Sequence, residues 1–293
     1  MGSPEEKALQ SGTAGSILLL VSKDTSVNEY FPSDSYDTPP DTKRFLMDRL
    51  FMGSRWWFYT IFMKTILKYR SLALAGRYDS KGWVESSYEV FKQIEGCGGR
   101  FHIRGLDNIR NSSEPVVLVS NHMSTLETMV FPALIVPSKP LNIVVKDELV
   151  KNFIFGPIML ARHPIVVGRK DAAQDLMTVI SGGAERVADG NSVLLFPQST
   201  REAGFNSERF NSLGVKLARR AGVKIVPVAI KTDFWGVGKF IKELGPISRD
   251  LDIFISFGKP LTIQNKGLEE HRAIVEFISE NMAEWEKNPR IEP

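Results

Sequence analysis

The sequence predicts an α/β fold: a layered sheet covered by helices on both faces, preceded by a helical segment that anchors to a membrane surface. Continuous apolar runs such as Pro115–Ser120, Asn191–Phe196 and Val223–Ile230 read as strands buried on both faces. Helical patterns separate these runs, which is how a sheet acquires helices on each side. An aromatic and basic stretch beginning at Phe45 supplies the anchoring segment. The 293 residues, 43% hydrophobic and 24% charged, can bury a substantial core, and this composition excludes a disordered chain.

Residues 1–44 are rich in Ser, Asp, Thr and Pro and lack periodicity, so they are expected to form a polar, flexible arm. Residues 45–82 carry Trp56, Trp57, Phe58 and Tyr59, then Ile61, Phe62, Met63, Ile66 and Leu67. On a helix, Thr60, Lys64, Lys68 and Ser71 fall on one narrow stripe, leaving a wide apolar face. Indoles favour the headgroup layer and lysines snorkel to anionic lipid, so this segment is expected to lie in a membrane interface. The competing reading is a helix packed on the domain's own core. The uncharged stretch Trp56–Met63 falls far short of the ~18–20 apolar residues that cross a bilayer.

The remainder, 83–293, is expected to be the catalytic domain. Val84–Ile94 reads as a helix ended by Gly96, Gly98 and Gly99, and Phe101–Arg104 as a strand. After the Pro115–Ser120 strand a helix starts at Ser124. Leu141–Lys146 and Pro164–Val167 are strands, and Asp171–Asp189 is a helix that Gly182 and Gly183 weaken. The Asn191–Phe196 strand leads to a helix over Ser207–Arg220, stopped by Gly222 before the Val223–Ile230 strand. Leu251–Phe257 is the last strand. An amphipathic helix carrying Leu268, Ile274, Phe277, Ile278, Met282 and Trp285 ends the chain.

A net charge of +3 does not point to nucleic acid, though it suits an anionic membrane or a phosphate-bearing substrate. Cys97 is the only cysteine, and the four dispersed histidines show no metal-ligand spacing, so a reducing compartment and no metal are expected. The N-terminus is acidic where a signal peptide is basic, so secretion is not expected. Gly2 lacks the Ser or Thr at position six that myristoylation needs.

Chemistry concentrates after the second apolar strand. His122 can exchange a proton near neutral pH, and Glu127, five positions on, can fix its tautomer. No GxSxG elbow supplies a nucleophile, which suggests that a substrate hydroxyl is activated directly. Ser124-Thr-Leu-Glu127 is also a capping box, a purely structural reading that does not exclude the first. Phe196-Pro-Gln-Ser-Thr-Arg201 follows another strand and can cradle an anion through its arginine. Lys146 and Arg169 also end strands, so with His122 and Arg201 they are candidates for one cleft at the carboxyl edge of the sheet.

Four motifs in order resemble the glycerolipid acyltransferase family of the bacterial 1-acylglycerol-3-phosphate acyltransferase type. Asn121, His122 and Glu127 match its first motif, where the usual acid is Asp. Lys146-Asp-Glu-Leu149 with Pro164–Arg169 resembles the second, Phe196–Arg201 the third (usually Phe-Pro-Glu-Gly-Thr-Arg) and Val226–Ile230 the fourth. The resemblance covers about residues 100–235. It implies transfer of an acyl chain from coenzyme A or acyl carrier protein to a lipid hydroxyl, foremost that of 1-acylglycerol 3-phosphate, without an acyl-enzyme or resident cofactor. His122 would be the general base oriented by Glu127. Asn121, Lys146, Arg169, Gln198, Ser199, Thr200 and Arg201 would bind substrate, and Phe153–Leu160 would line an acyl tunnel. The enzyme would sit on the cytoplasmic face of a membrane, monotopic or peripheral. Gln198 and Ser199 depart from the family's Glu and Gly, which leaves open another lysolipid acceptor, transacylation without coenzyme A, or a lipid-binding protein without activity. A thiol hydrolase using Cys97 is a further alternative.

Overall fold

The computed structural model describes residues 30–168, 170–198, 200–239 and 241–291. In chain order they form β1 (Tyr36–Asp37), α1 (Leu46–Leu50), α2 (Arg55–Leu74), α3 (Ser80–Gly96), β2 (Phe101–Arg104), α4 (Asp107–Arg110), β3 (Val117–Ser120), α5 (Leu126–Ile135), β4 (Leu141–Lys146), α6 (Asp147–Lys151), α7 (Gly156–Leu160), β5 (Ile165–Val167), α8 (Ala172–Ala188), β6 (Ser192–Leu195), α9 (Leu213–Ala221), β7 (Ile225–Lys231), β8 (Ile253–Phe257) and α10 (Leu268–Lys287).

The strands make one mixed sheet in the order β1-β2-β8-β7-β3-β6-β4-β5. From β7 to β5 all neighbours run parallel, so the carboxyl ends of five strands share one edge. β8 turns antiparallel to β7, and β2 follows β8. The amino ends of β2 and β8 therefore join that same edge. Every residue of β3, β6 and β7 is buried, as their unbroken apolar composition predicts. Helices flank the sheet: α2, α3, α5 and α7 pack among themselves, while α8 and α9 form a separate pair and α10 lies on β7.

Several elements differ from the sequence reading. Residues 1–29 of the expected arm lie outside the described residues, but 30–44 are not loose. Phe31 is buried against Tyr36 and Phe91, and Tyr36–Asp37 pairs antiparallel with β2. Two aromatics in a polar stretch suffice to tie it down, a signal that composition averages away. The helix expected over Ser207–Arg220 begins only at Leu213, after a single 3₁₀ turn at Ser207–Arg209. Asn206 and Asn211 bond the amides of Glu208 and Leu213 through their own side chains, which competes with helix continuation. Of the two glycines inside α8, Gly183 has a packing reason, since a Cβ there would lie 2.6 Å from the Leu217 side chain of α9.

The aromatic segment is divided. Phe58, Tyr59, Phe62, Ile66 and Tyr69 of α2 face inward, and Trp235 meets the rings of Phe58 and Phe62 edge-on at 4.9 and 5.0 Å. Thr60, Lys64, Lys68 and Ser71 line the exposed stripe as expected. The wide apolar face is thus turned to protein rather than to lipid. Exposed are Trp56, Leu67 and Leu74 of α2, together with Phe45, Leu46, Met47, Leu50, Phe51 and Met52 before it, Met52 at 93%. Trp57 is half-buried and stacks on Phe51. Among the described residues no helix is long and apolar enough to cross a membrane.

Candidate active site

The turn between β3 and α5 carries the base. Asn121 ends the strand fully buried, donating through Nδ2 to the Ile230 carbonyl (2.8 Å) and accepting the Ile230 N–H at Oδ1 (2.9 Å). It was expected among the substrate-binding residues, but both ends of its amide are spent on β7. It is a strut that sets where the next residue emerges. That residue, His122, is held at Nδ1, 2.8 Å from Glu127 Oε1, and its ring stacks on Phe196 at 4.2 Å.

Glu127 has no solvent exposure, and five donors converge on it. Oε1 accepts from His122 Nδ1 and from the amides of Met123 and Ser124, while Oε2 accepts from the hydroxyls of Ser124 and Thr232, all at 2.8 Å. Burial opposes ionisation, but the hydrogen bond and charge of His122 with the Ser124 amide hold the carboxyl below its ordinary range. An ionised acceptor requires the imidazole proton on Nδ1. Nε2 then presents its lone pair, and among the described residues it has no hydrogen-bond partner. The capping and catalytic readings coexist, because the carboxylate that reaches back to the Ser124 amide also reaches the ring.

Gln198 is buried beside this turn, and its Oε1 accepts the His122 N–H at 3.0 Å. Expected to bind substrate, it meets the backbone of the turn that holds His122, its amide carbonyl serving that N–H as a carboxylate oxygen would. Its Nε2 is buried without a partner among the described residues. The Glu202 N–H donates to the His122 carbonyl, a second tie between the two loops. Arg201 is largely buried and pairs through Nη1 with Glu243, 3.2 Å away. Thr200 is exposed, and Lys146 closes β4 at the same sheet edge. Arg169 and Ser199 lie outside the described residues.

The Acyltransferase family model matches residues 100–231. The chain is 28% identical over 237 residues to the 1-acyl-sn-glycerol-3-phosphate acyltransferase of Pseudomonas aeruginosa, covering 78% of this chain and 85% of that protein. It is also 28% identical over 147 residues to the human 1-acyl-sn-glycerol-3-phosphate acyltransferase beta, half of each protein. The crystal structure of the 1-acyl-sn-glycerophosphate acyltransferase PlsC from Thermotoga maritima shares the fold, with a TM-score of 0.65, 17% identity, and 84% of this chain and 99% of that one covered. Residues 100–231 thus carry an Acyltransferase domain, and the relatives they resemble are named as acyltransferases.

Other parts of the acyltransferase were not legible in its sequence. Thr232, which donates to Glu127, lies 105 residues away and has no local signal. Glu243 sits in the loop between β7 and β8 and meets Arg201 only through the fold. Cys97 is fully buried, and burial pushes its thiol up to about 12, so it is no nucleophile. The Phe153–Leu160 stretch is split. Phe155, Ile158 and Met159 help line a cavity of about 30 Å³ beneath α2, room for about one water, whereas Phe153 is 79% exposed under the Arg70 guanidinium.

Proposed function

We propose that this enzyme transfers a fatty acyl chain from a coenzyme A or acyl carrier protein thioester to the free hydroxyl of 1-acylglycerol 3-phosphate, in phospholipid biosynthesis. The observation that carries the reading is Nε2 of His122, which has no hydrogen-bond partner among the described residues while the opposite nitrogen is locked by a buried, ionised Glu127. Nε2 takes the acceptor's hydroxyl proton as its oxygen attacks the thioester carbonyl. The tetrahedral intermediate then collapses, the C–S bond breaks, and the proton passes from the imidazolium to the departing thiolate. Glu127 stabilises the imidazolium throughout without itself accepting the proton. General-base assistance of this kind is typically worth ~10²–10⁴ in rate.

Arg201, Lys146 and Arg169 would hold the acceptor's phosphate. The Arg201–Glu243 pair must open for this, or its guanidinium must be shared, since Glu243 already offsets the charge. That pairing favours a second reading in which another lysolipid is the acceptor. Exposed Leu46, Leu50, Phe51, Met52 and Trp56, with Arg55 over the Trp56 ring, support peripheral attachment to the cytoplasmic face of a membrane.

The test is a panel of lysolipids presented in liposomes with labelled acyl-CoA or acyl carrier protein, reading product, released thiol and liposome-bound protein in the same tubes. Labelled phosphatidic acid with stoichiometric thiol is the expected result. Label in another phospholipid would move the acceptor, product without thiol would mean transacylation, and protein left in the supernatant would remove the membrane attachment.

A further inference from the structure

A cavity of about 320 Å³ that His122 does not line lies between the segment before α1, the end of α3, the start of β2 and the chain after α10. Four arginines line it: Arg44, Arg100, Arg249 and Arg290. Glu95 and Asp250 are the acidic residues in its wall. Beneath it lies Asp48, fully buried, which takes Arg44 and Arg249 as ion-pair partners. Arg249 also donates through Nε to the Cys97 carbonyl at 2.8 Å. Glu95 is engaged by Lys92 and by the hydroxyls of Tyr36 and Thr38. Five cations, counting Lys92, therefore stand against three carboxylates. Arg100 and Arg290 have no ion-pair partner among the described residues.

This differs from a solvated basic face in two ways. The four arginines line a concavity large enough for a small ligand, at the lower end of the ~300–1,000 Å³ usual for such sites. Two of them are also fixed in place from below by a buried carboxylate, so their remaining donors are already oriented. Planar donor forks held around a hollow match the oxygens of a phosphate, which accepts bidentate bonds.

We propose that this four-arginine cavity is a phosphate-binding site. Two sources of phosphate meet its surroundings. Because β2 and β8 run against β3, the Arg100 end of β2 lies at the same sheet edge as His122, three strand spacings across and about three residues further along by register, or ~17 Å in all. A pantetheine arm can bridge that span, which suits the nucleotide phosphates of a coenzyme A donor; this arm of the proposal rests on the acyl-transfer reading. The second source is an acidic lipid headgroup, placed there by the exposed Leu46, Leu50 and Met52 that follow Arg44.

The experiment compares the full chain with the double variant R100A/R290A, which leaves the Asp48 pairs intact, and with R100K/R290K. One arm measures binding of 3′,5′-ADP by calorimetry. The other measures flotation with phosphatidylcholine vesicles with and without phosphatidic acid. Neither arm depends on turnover, so failure here is separable from failure of acyl transfer. A roughly tenfold or greater loss in R100A/R290A, partly restored by the lysines, is expected in one arm, which names the source. Unchanged affinity in both arms, or a wild-type chain that binds neither probe, would overturn the site.

Discussion

Two histidines near the same edge of one sheet meet carboxylates while stacking on phenylalanines, yet their two rings are bonded differently. His122 stacks on Phe196 and, among the described residues, is hydrogen-bonded by its ring only to Glu127, through Nδ1. His102 stacks on Phe254 at 5.1 Å and meets two carboxylates, Asp37 at 2.7 Å through Nδ1 and Asp252 at 3.1 Å through Nε2. Burial disfavours the charged ring of His102, but both aspartates outweigh it and raise its pKa above the ordinary histidine value. With both nitrogens engaged, the ring braces β1, β2 and the loop before β8. A carboxylate partner alone does not make a base; the ring also needs a second nitrogen left for a substrate proton.

The largest effect should come from removing the open nitrogen. His122→Ala is expected to lower kcat/KM in the lysolipid assay by ~10²–10⁴ with little change in melting temperature. His102→Ala should leave turnover within about twofold, and an equal loss from the two variants would erase the contrast. Next comes the lock on Nδ1. Glu127→Gln should lower kcat by ~10² or more with an unchanged KM for the acyl donor. The amide also presents a donor to groups that now donate to the carboxylate, so unfolding in urea should show a loss of ~1–3 kcal/mol.

The smallest effect is the most diagnostic of the brace. A raised pKa in the folded state means that the stability contributed by His102 is fully present below its unfolded value of about 6.5 and is lost as pH rises through the folded value. Urea unfolding of wild type and His102→Gln across a pH series should therefore show a gap that narrows on the alkaline side. A gap that widens with rising pH would mean the ring is held neutral, and the assignment of a brace would fail.

Local spacing made one half of the active site readable. His122 and Glu127 are five residues apart across a strand-to-helix turn, a separation the backbone itself closes. Long separations hid the other half: Gln198 reaches the His122 amide from 76 residues away, and Asn121 reaches Ile230 across 109. Their residue types mark them as polar and say nothing of partners. The same limit governed the aromatic helix, where periodicity found the polar stripe but not the neighbour, Trp235, that covers much of the opposite face.

The sequence by itself determined the alternation of strands and helices and the pairing of His122 with Glu127, because burial period and turn geometry act over a few residues. Tertiary structure decided which imidazole keeps a free nitrogen, which apolar face meets protein, and how four arginines from distant segments come to share one hollow. Those outcomes follow from strand order and direction across the sheet, which no short stretch of chain encodes.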